Sequence, residues 1–355
     1  MKSLTKSSLN TVASLAIATL GTSALPAQPT KPAKPDPQMQ AVLDKLGTLG
    51  GKPIETLTAE EARKQPSPAD AVMALLKEQG KEVAEKTGKV EDIKISLTTG
   101  DVKARIYQPE GAGPFPVILY IHGGGWVIAD LDTYDATPRA LANATGALVI
   151  STHYRQAPEH PFPAAHEDCF GAYQWTLKNA SRWNGDSKTT AVVGESAGGN
   201  MAASICLMAK EKGMQAPVHQ VLIYPVADTA MDTPSYVENA KAKPLNAAMM
   251  KWFAGNTFAK KEDASDPRVA LLKVKSFTGV PPATIITAQI DPLRSEGETL
   301  AQRLNADGVK VVYRNYDGVT HEFFGMAAVV DQAKAAQELV SAQLKASFGQ
   351  KEAAK

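Results

Sequence analysis

Apolar residues along this chain fall into two kinds of run that take turns. From residue 116 onward, short blocks rich in branched aliphatics are centred near residues 119, 150, 192, 222, 286 and 312. Between and after them lie stretches with the three-to-four-residue apolar spacing of amphipathic helices, at roughly 133–145, 163–180, 197–212, 293–306 and 327–346. Strands that alternate with helices predict a mostly parallel sheet covered by helices on both faces. Upstream the pattern changes. Ile93, Ile95 and Leu97 alternate with polar residues, Thr99-Gly100-Asp101 supplies a turn, and Val102, Ala104 and Ile106 alternate again. That is the signature of a β-hairpin, which adds antiparallel pairing at one edge.

Two segments stand outside this alternation. Residues 37 to about 88 read as helical, broken at Gly47 to Pro53 and around Pro66. Between Pro225 and Pro281 the strand–helix rhythm lapses, with a helical stretch at Met249-Met250-Lys251-Trp252-Phe253. The domain is therefore expected over residues 38–355, with cap elements at about 38–88 and 228–280 over the strand ends.

The first 27 residues read differently again. Lys2 and Lys6 precede a short apolar run from Val12 to Leu20, and small residues follow, with cleavage expected after Ala24 or Ala27. This predicts a signal peptide over 1–27 and an exported, periplasmic or secreted protein. The apolar run is too short to span a bilayer, which needs about 20 residues, so no stable membrane anchor is expected. Residues 28–37 form a Pro/Lys-rich linker.

Composition narrows the function classes. The 355 residues are 44% apolar and 21% charged, which suits one large globular domain. Loss of the two lysines in the leader takes the formal net charge from +1 to −1. A near-neutral chain gives no electrostatic case for nucleic acid. There is no glycine-rich nucleotide motif and no correctly spaced second histidine after His166-Glu167 or His321-Glu322, so neither cofactor nor metal is expected. Cys169 and Cys206 lie within predicted helices and read as buried free thiols. No pattern in the chain specifies an oligomeric state.

Candidate chemistry sits where predicted strands end. Thr190-Ala191-Val192-Val193 runs into Gly194-Glu195-Ser196-Ala197-Gly198, and a helix follows. A strand, a sharp turn bearing Ser and a helix are the context of a nucleophile elbow. Cβ atoms at the two flanking glycine positions would crowd the neighbouring strand and helix. Another strand, Pro116 to Ile121, runs into His122-Gly123-Gly124-Gly125-Trp126, an oxyanion-hole turn. His122 reads as the anchor of that turn, and His153, His160, His166 and His219 as polar or packing residues. The strand from Ala283 to Ile290 ends in Asp291-Pro292-Leu293-Arg294, and His321 follows the strand Val309 to Tyr316. Serine is a poor nucleophile at neutral pH, so a base must take its proton. Imidazole suits that task, and a carboxylate fixes its tautomer. Asp291, which ends its own strand, is preferred as the acid over Asp317, which lies only four residues before His321 on the same segment.

The combined motifs resemble those of the bacterial hormone-sensitive-lipase-like esterases within the α/β-hydrolases. The likeness runs from about Pro109 to the C-terminus and includes Tyr154-Arg155-Gln156-Ala157-Pro158-Glu159-His160-Pro161-Phe162-Pro163 and Gly194-Glu195-Ser196-Ala197-Gly198-Gly199-Asn200. It implies the α/β-hydrolase fold, Ser196 as nucleophile, His321 as base and Asp291 as acid. It also implies an oxyanion hole from the N–H groups of Gly124, Gly125 and Ala197, with Gly123 shaping the turn. A helical cap, no cofactor and a small-molecule ester of short to medium acyl chain complete the expectation. Trp126, Trp252 and Phe253 are candidates for the substrate pocket, the last two also for packing of cap onto core. The departures are Glu195 and Ser295, where many members carry Asp. A ligand-binding protein on the same scaffold, or an amide or carbamate hydrolase or acyltransferase using the same triad, are the competing readings.

Overall fold

The computed structural model describes Met1 and residues 33–81 and 86–350. The predicted signal peptide (apart from Met1) and residues 28–32 of the linker lie outside the described residues. Three N-terminal helices come first: α1 (Pro37–Thr48), α2 (Ala59–Ala62) and α3 (Pro68–Glu78). Their start points are written in the sequence. Asp36 caps α1 by accepting from Met39 N–H, and Thr58 and Ser67 form reciprocal capping boxes with Glu61 and Asp70.

The strands are β1 (Lys89–Leu97), β2 (Gly100–Gln108), β3 (Phe115–Ile121), β4 (Leu148–Thr152), β5 (Gly185–Glu195), β6 (Gln220–Ile223), β7 (Ala283–Ile290) and β8 (Val311–Thr320). They form one eight-stranded sheet in the order β1-β2-β4-β3-β5-β6-β7-β8. The hairpin β1–β2 is antiparallel, as its alternation predicts, and sits at one edge. It joins the sheet through a second antiparallel pairing, β2 with β4, and every pairing from β4 to β8 is parallel. Chain order does not reveal that β4 lies outside β3, because strand order depends on long-range contacts.

The remaining helices are α4 (Ala136–Thr145), α5 (Ala164–Asn179), α6 (Ala197–Glu211), α7 (Pro234–Glu238), α8 (Ala247–Thr257), α9 (Arg294–Ala306) and α10 (Asp331–Ser347). Alternate residues of each buried strand face opposite layers. Leu119, Ile121, Val192, Leu222 and Ile285 pack with α5, α6 and α9. Ile118, Tyr120, Val193, Ile223 and Ile286 pack with α1, α3, α4 and α10. Both faces are thus closed to water, which explains the nearly unbroken apolar runs of β3 to β7. Cys169 and Cys206 are buried and unpaired.

Register fixes what the strand ends present. Ile290 of β7 pairs with Thr320 of β8. The next residues, Asp291 and His321, therefore leave adjacent parallel strands side by side. The expected end of β8 at Tyr316 falls short. The strand continues to Thr320 after a register shift between Ala288 and Ile290. Gly318, at φ +72°, carries the extra residues, and its N–H donates to Gln289 Oε1 at 2.9 Å. Without those residues the chain would leave the sheet too early to bring His321 level with Asp291.

Candidate active site

Ser196 stands between the end of β5 and the start of α6, with φ +57° and ψ −118°. That strained backbone is tolerated because its surroundings over-determine it. Ser196 N–H donates to Ile223 O at 2.9 Å, and Ser196 O accepts from Asn200 N–H at 3.1 Å. The flanking glycines are there for close approach. A Cβ on Gly194 would lie 2.1 Å from Gly198 O, and one on Gly198 would lie 2.1 Å from Ile121 O.

Three predicted residues meet in one hydrogen-bonded line. Ser196 Oγ lies 2.9 Å from His321 Nε2, and His321 Nδ1 lies 2.7 Å from Asp291 Oδ2. All three side chains are buried. Asp291 Oδ1 accepts from Leu293 N–H at 2.8 Å, so both carboxylate oxygens are used. Burial disfavours the charged imidazolium. The Asp291 carboxylate, by its charge and its hydrogen bond, together with the charges of Glu322 and Glu195, outweighs burial and holds His321 above its ordinary value. Asp317 takes no part: it is exposed on β8 and accepts from Asn315 Nδ2. Ser295 bonds with Ser235 of α7 and not with Asp291.

The glycine turn after β3 faces Ser196. Gly124 and Gly125 both have positive φ, +92° and +57°, and Gly124 O accepts from Val127 and Ile128 N–H groups, which closes the turn. Ala197 is the first residue of α6, whose first-turn N–H groups have no acceptor within the helix. The Gly123–Gly124 peptide is aimed from behind. Gly123 O accepts from Tyr154 Oη and from His122 Nδ1, each at 2.8 Å. In a trans peptide the N–H points opposite to the C=O, so two donors on Gly123 O direct Gly124 N–H the other way.

His122 is thereby the loop anchor its position suggests. With Nδ1 donating, its Nε2 accepts from His153 Nδ1 at 2.9 Å. Burial, with the neighbouring His153, pushes His122 down to about 3, so the ring is neutral at ordinary pH. His166 bonds Asn200 Oδ1, and His219 bonds Thr284 and Ser347. Tyr154→Phe removes one of the two donors on Gly123 O. A lost neutral hydrogen bond of about 1–1.5 kcal/mol should lower kcat roughly tenfold with KM little changed, as steady-state kinetics would show. An unchanged kcat would mean that His122 alone suffices.

A cavity of about 490 Å³ contains Ser196, His321, Gly124 and Gly125. Its apolar wall comes from both segments outside the strand–helix rhythm, with Leu43 and Ile54 from the first and Leu245 and Met250 from the second. Trp126 and Phe253 line it. Trp252 does not. Its indole Nε1 donates to Leu57 O at 3.0 Å, and its ring packs edge-on against Phe253. Successive helical residues point about 100° apart, and Trp252 is the one of the pair turned away from the cavity. Trp252 instead ties α8 to the N-terminal segment. Arg63 makes a similar tie. It donates to Val127 O and Ala157 O at 2.8 Å and grips Glu159 with both terminal nitrogens.

Sequence reasoning missed a carboxylate cluster beside the triad. Glu195 is buried and accepts from Tyr120 Oη at 2.5 Å and from Tyr224 Oη. The Tyr224 ring packs on His321 with centroids 4.5 Å apart. Glu195 therefore braces the wall on which His321 rests, which is more than a longer Asp. Burial, with the nearby Glu322, pushes its carboxyl up to about 7. Glu322 lines the cavity itself. The sequence signal was its adjacency to His321, which says nothing of where the side chain turns.

Comparison with known proteins agrees with this fold. A family model described as alpha/beta hydrolase fold matches residues 118–325. The carboxylic ester hydrolase LipN of Mycobacterium tuberculosis is 38% identical over 260 residues, 71% of this chain and 69% of that one. An ethyl acetate hydrolase of Pseudomonas putida is 33% identical over 309 residues, 84% and 94% of the two chains. The structure of an esterase from Pyrobaculum calidifontis superposes with a TM-score of 0.77 at 36% identity, covering 82% of this chain and 94% of that one. On its fold, its site geometry and these likenesses, the chain belongs to the α/β-hydrolase fold family, among its hormone-sensitive-lipase-like esterases.

Proposed function

We propose that this protein hydrolyses carboxylic esters through an acyl-enzyme on Ser196, with His321 as the base and Asp291 as the acid that orients it. The observation that carries this reading is the unbroken line from Ser196 Oγ through His321 to Asp291, open to an apolar cavity. As Ser196 Oγ attacks the ester carbon, His321 Nε2 takes its proton. The new imidazolium is held by Asp291 through Nδ1. Negative charge then develops on the former carbonyl oxygen, which we assign to the N–H groups of Gly124, Gly125 and Ala197. His321 returns the proton to the leaving alcohol, and water repeats the sequence to free the acid.

The cavity wall argues for the acyl class. Many of its apolar residues come from segments 38–88 and 228–280, which we read as a cap that excludes water from the developing charge. Each methylene an acyl chain buries contributes about 0.8 kcal/mol. The rate constant kcat/KM should therefore rise by up to about fourfold per carbon from p-nitrophenyl acetate until the cavity is full, then fall towards palmitate. Assays across that ester series test both the activity and the pocket. A profile flat from acetate to palmitate would remove the confined acyl pocket. No turnover of any ester by the folded protein would remove the function.

A further inference from the structure

Glu322 follows the base and has no part in the relay. Its backbone is left-handed, at φ +71°, and that turn directs the carboxylate back towards the catalytic residues. Oε1 lies 3.7 Å from His321 Nε2, the nitrogen that also bonds Ser196 Oγ. The Tyr134 hydroxyl donates to the carboxylate, 2.7 and 2.8 Å from its two oxygens. Tyr134 is itself packed against the oxyanion turn, for a Cβ on Gly123 would lie 2.3 Å from its hydroxyl. The carboxylate is thus fixed on the cavity wall, with 22% of the side chain exposed.

A separation of 3.7 Å is too long for a hydrogen bond between the two groups. It is within reach of a single water that touches both. During deacylation Ser196 Oγ carries the acyl group, and His321 Nε2 is free to accept from that water. If one hydrogen goes to Nε2 and the other to Glu322 Oε1, the water's lone pairs are left to face the acyl carbon. A second cavity, of about 40 Å³, is lined by Tyr134, Thr137, Glu195 and Glu322. Most of its wall is apolar, but these polar groups and its size suit one more water, so Glu322 stands between the substrate cavity and a place where water can wait.

We propose that Glu322 seats the hydrolytic water of the deacylation step. The inference rests on the esterase reading above. In that step the water oxygen bonds to the acyl carbon as Nε2 takes one proton. The bond from Ser196 Oγ to that carbon then breaks, Nε2–H protonates Oγ, and the carboxylic acid leaves. Glu322 accepts a hydrogen bond throughout, and its own protonation is the same at the start and end of the cycle. It is a water-positioning residue that acts after acylation.

Stopped-flow release of nitrophenolate from p-nitrophenyl butyrate tests this with wild type, Glu322→Ala and Glu322→Gln. In Glu322→Ala, kcat should fall tenfold or more while kcat/KM, set by acylation, stays within threefold. KM falls in step, one equivalent of nitrophenolate appears as a burst, and intact-mass spectra show acylated protein. Glu322→Gln keeps one acceptor oxygen and should show a smaller loss, of at least threefold, confined to kcat. That variant decides the matter if the alanine variant does not fold. Equal falls in kcat and kcat/KM would overturn the proposal, because Glu322 would then serve acylation. So would unchanged kinetics in both variants. A folded wild type that releases no nitrophenolate from any ester would instead overturn the esterase reading beneath it.

Discussion

Ser196→Ala should lower kcat by about 10⁴- to 10⁶-fold while leaving the fold intact. The backbone at this turn is held without the hydroxyl, since Ser196 N–H donates to Ile223 O and Ser196 O accepts from Asn200 and Val226. Alanine can occupy the same φ at a cost similar to that of serine, and the glycines around it keep the space the turn requires. What disappears is the hydroxyl oxygen bonded to His321 Nε2, to which we assign the acyl group. The residual rate comes from binding and the oxyanion hole, which act on water as well as on serine. Kinetics with p-nitrophenyl butyrate and thermal melts on the same preparation check the two halves of this expectation. Labelling by a serine-directed organophosphonate should be lost together with turnover. Turnover surviving in the purified variant would show that another residue is the nucleophile.

The reason this site could be read from the chain lies in where its parts sit. Ser196, Asp291 and His321 each follow a strand whose β-branched run is local and strong: β5, β7 and β8. Parallel strands then carry their ends to one edge of the sheet, which is where α/β folds collect sites. Local signals also gave the helical character of the N-terminal segment and the hairpin turn. Other features depend on partners far away in sequence. Nothing near Trp252 says that Leu57 O will accept from it. Nothing near β4 says that it will lie between β2 and β3. The extension of β8 rests on Gly318 meeting Gln289, a contact between strands. Glu322 is the clearest case. A dipeptide His-Glu shows adjacency, and adjacency in an extended chain would point the two side chains apart. Only the left-handed turn at Glu322 returns its carboxylate to the imidazole.

That same contact changes how the departure at Glu195 is understood. A carboxylate one methylene longer reaches both Tyr120 and Tyr224. Tyr224 then meets the imidazole ring face to which no triad partner binds. The imidazole is therefore positioned by two contacts: Asp291 on Nδ1 and Tyr224 against its ring. Sub-ångström placement of a catalytic group depends on such supporting contacts.

Asp291→Asn should cost about 10⁴-fold in kcat, roughly 5.5 kcal/mol of transition-state stabilisation, and shift the pH profile. The geometry decides which way the amide turns. Leu293 N–H donates to Asp291 Oδ1 at 2.8 Å, so an asparagine would keep its oxygen there and present its NH₂ to His321. That NH₂ would donate to Nδ1, where the aspartate accepts. The imidazole would then carry its proton on Nε2, facing Ser196, and could not take another. The sign of the pH effect follows from the same contact. Neutral imidazole is the active base, so kcat/KM rises with pH through the histidine's titration. In the wild type that limb should lie above 6.5, because Asp291 holds His321 above its ordinary value against burial. With the Asp291 charge removed, burial, the largest single influence on His321, is opposed only by the smaller effects of Glu322 and Glu195, and it favours the neutral ring. The acidic limb should therefore move to lower pH even as the plateau falls. Profiles of kcat/KM from pH 5 to 9 for both proteins measure this directly. A limb that stays in place while the plateau falls would mean that Asp291 orients the imidazole without setting its charge.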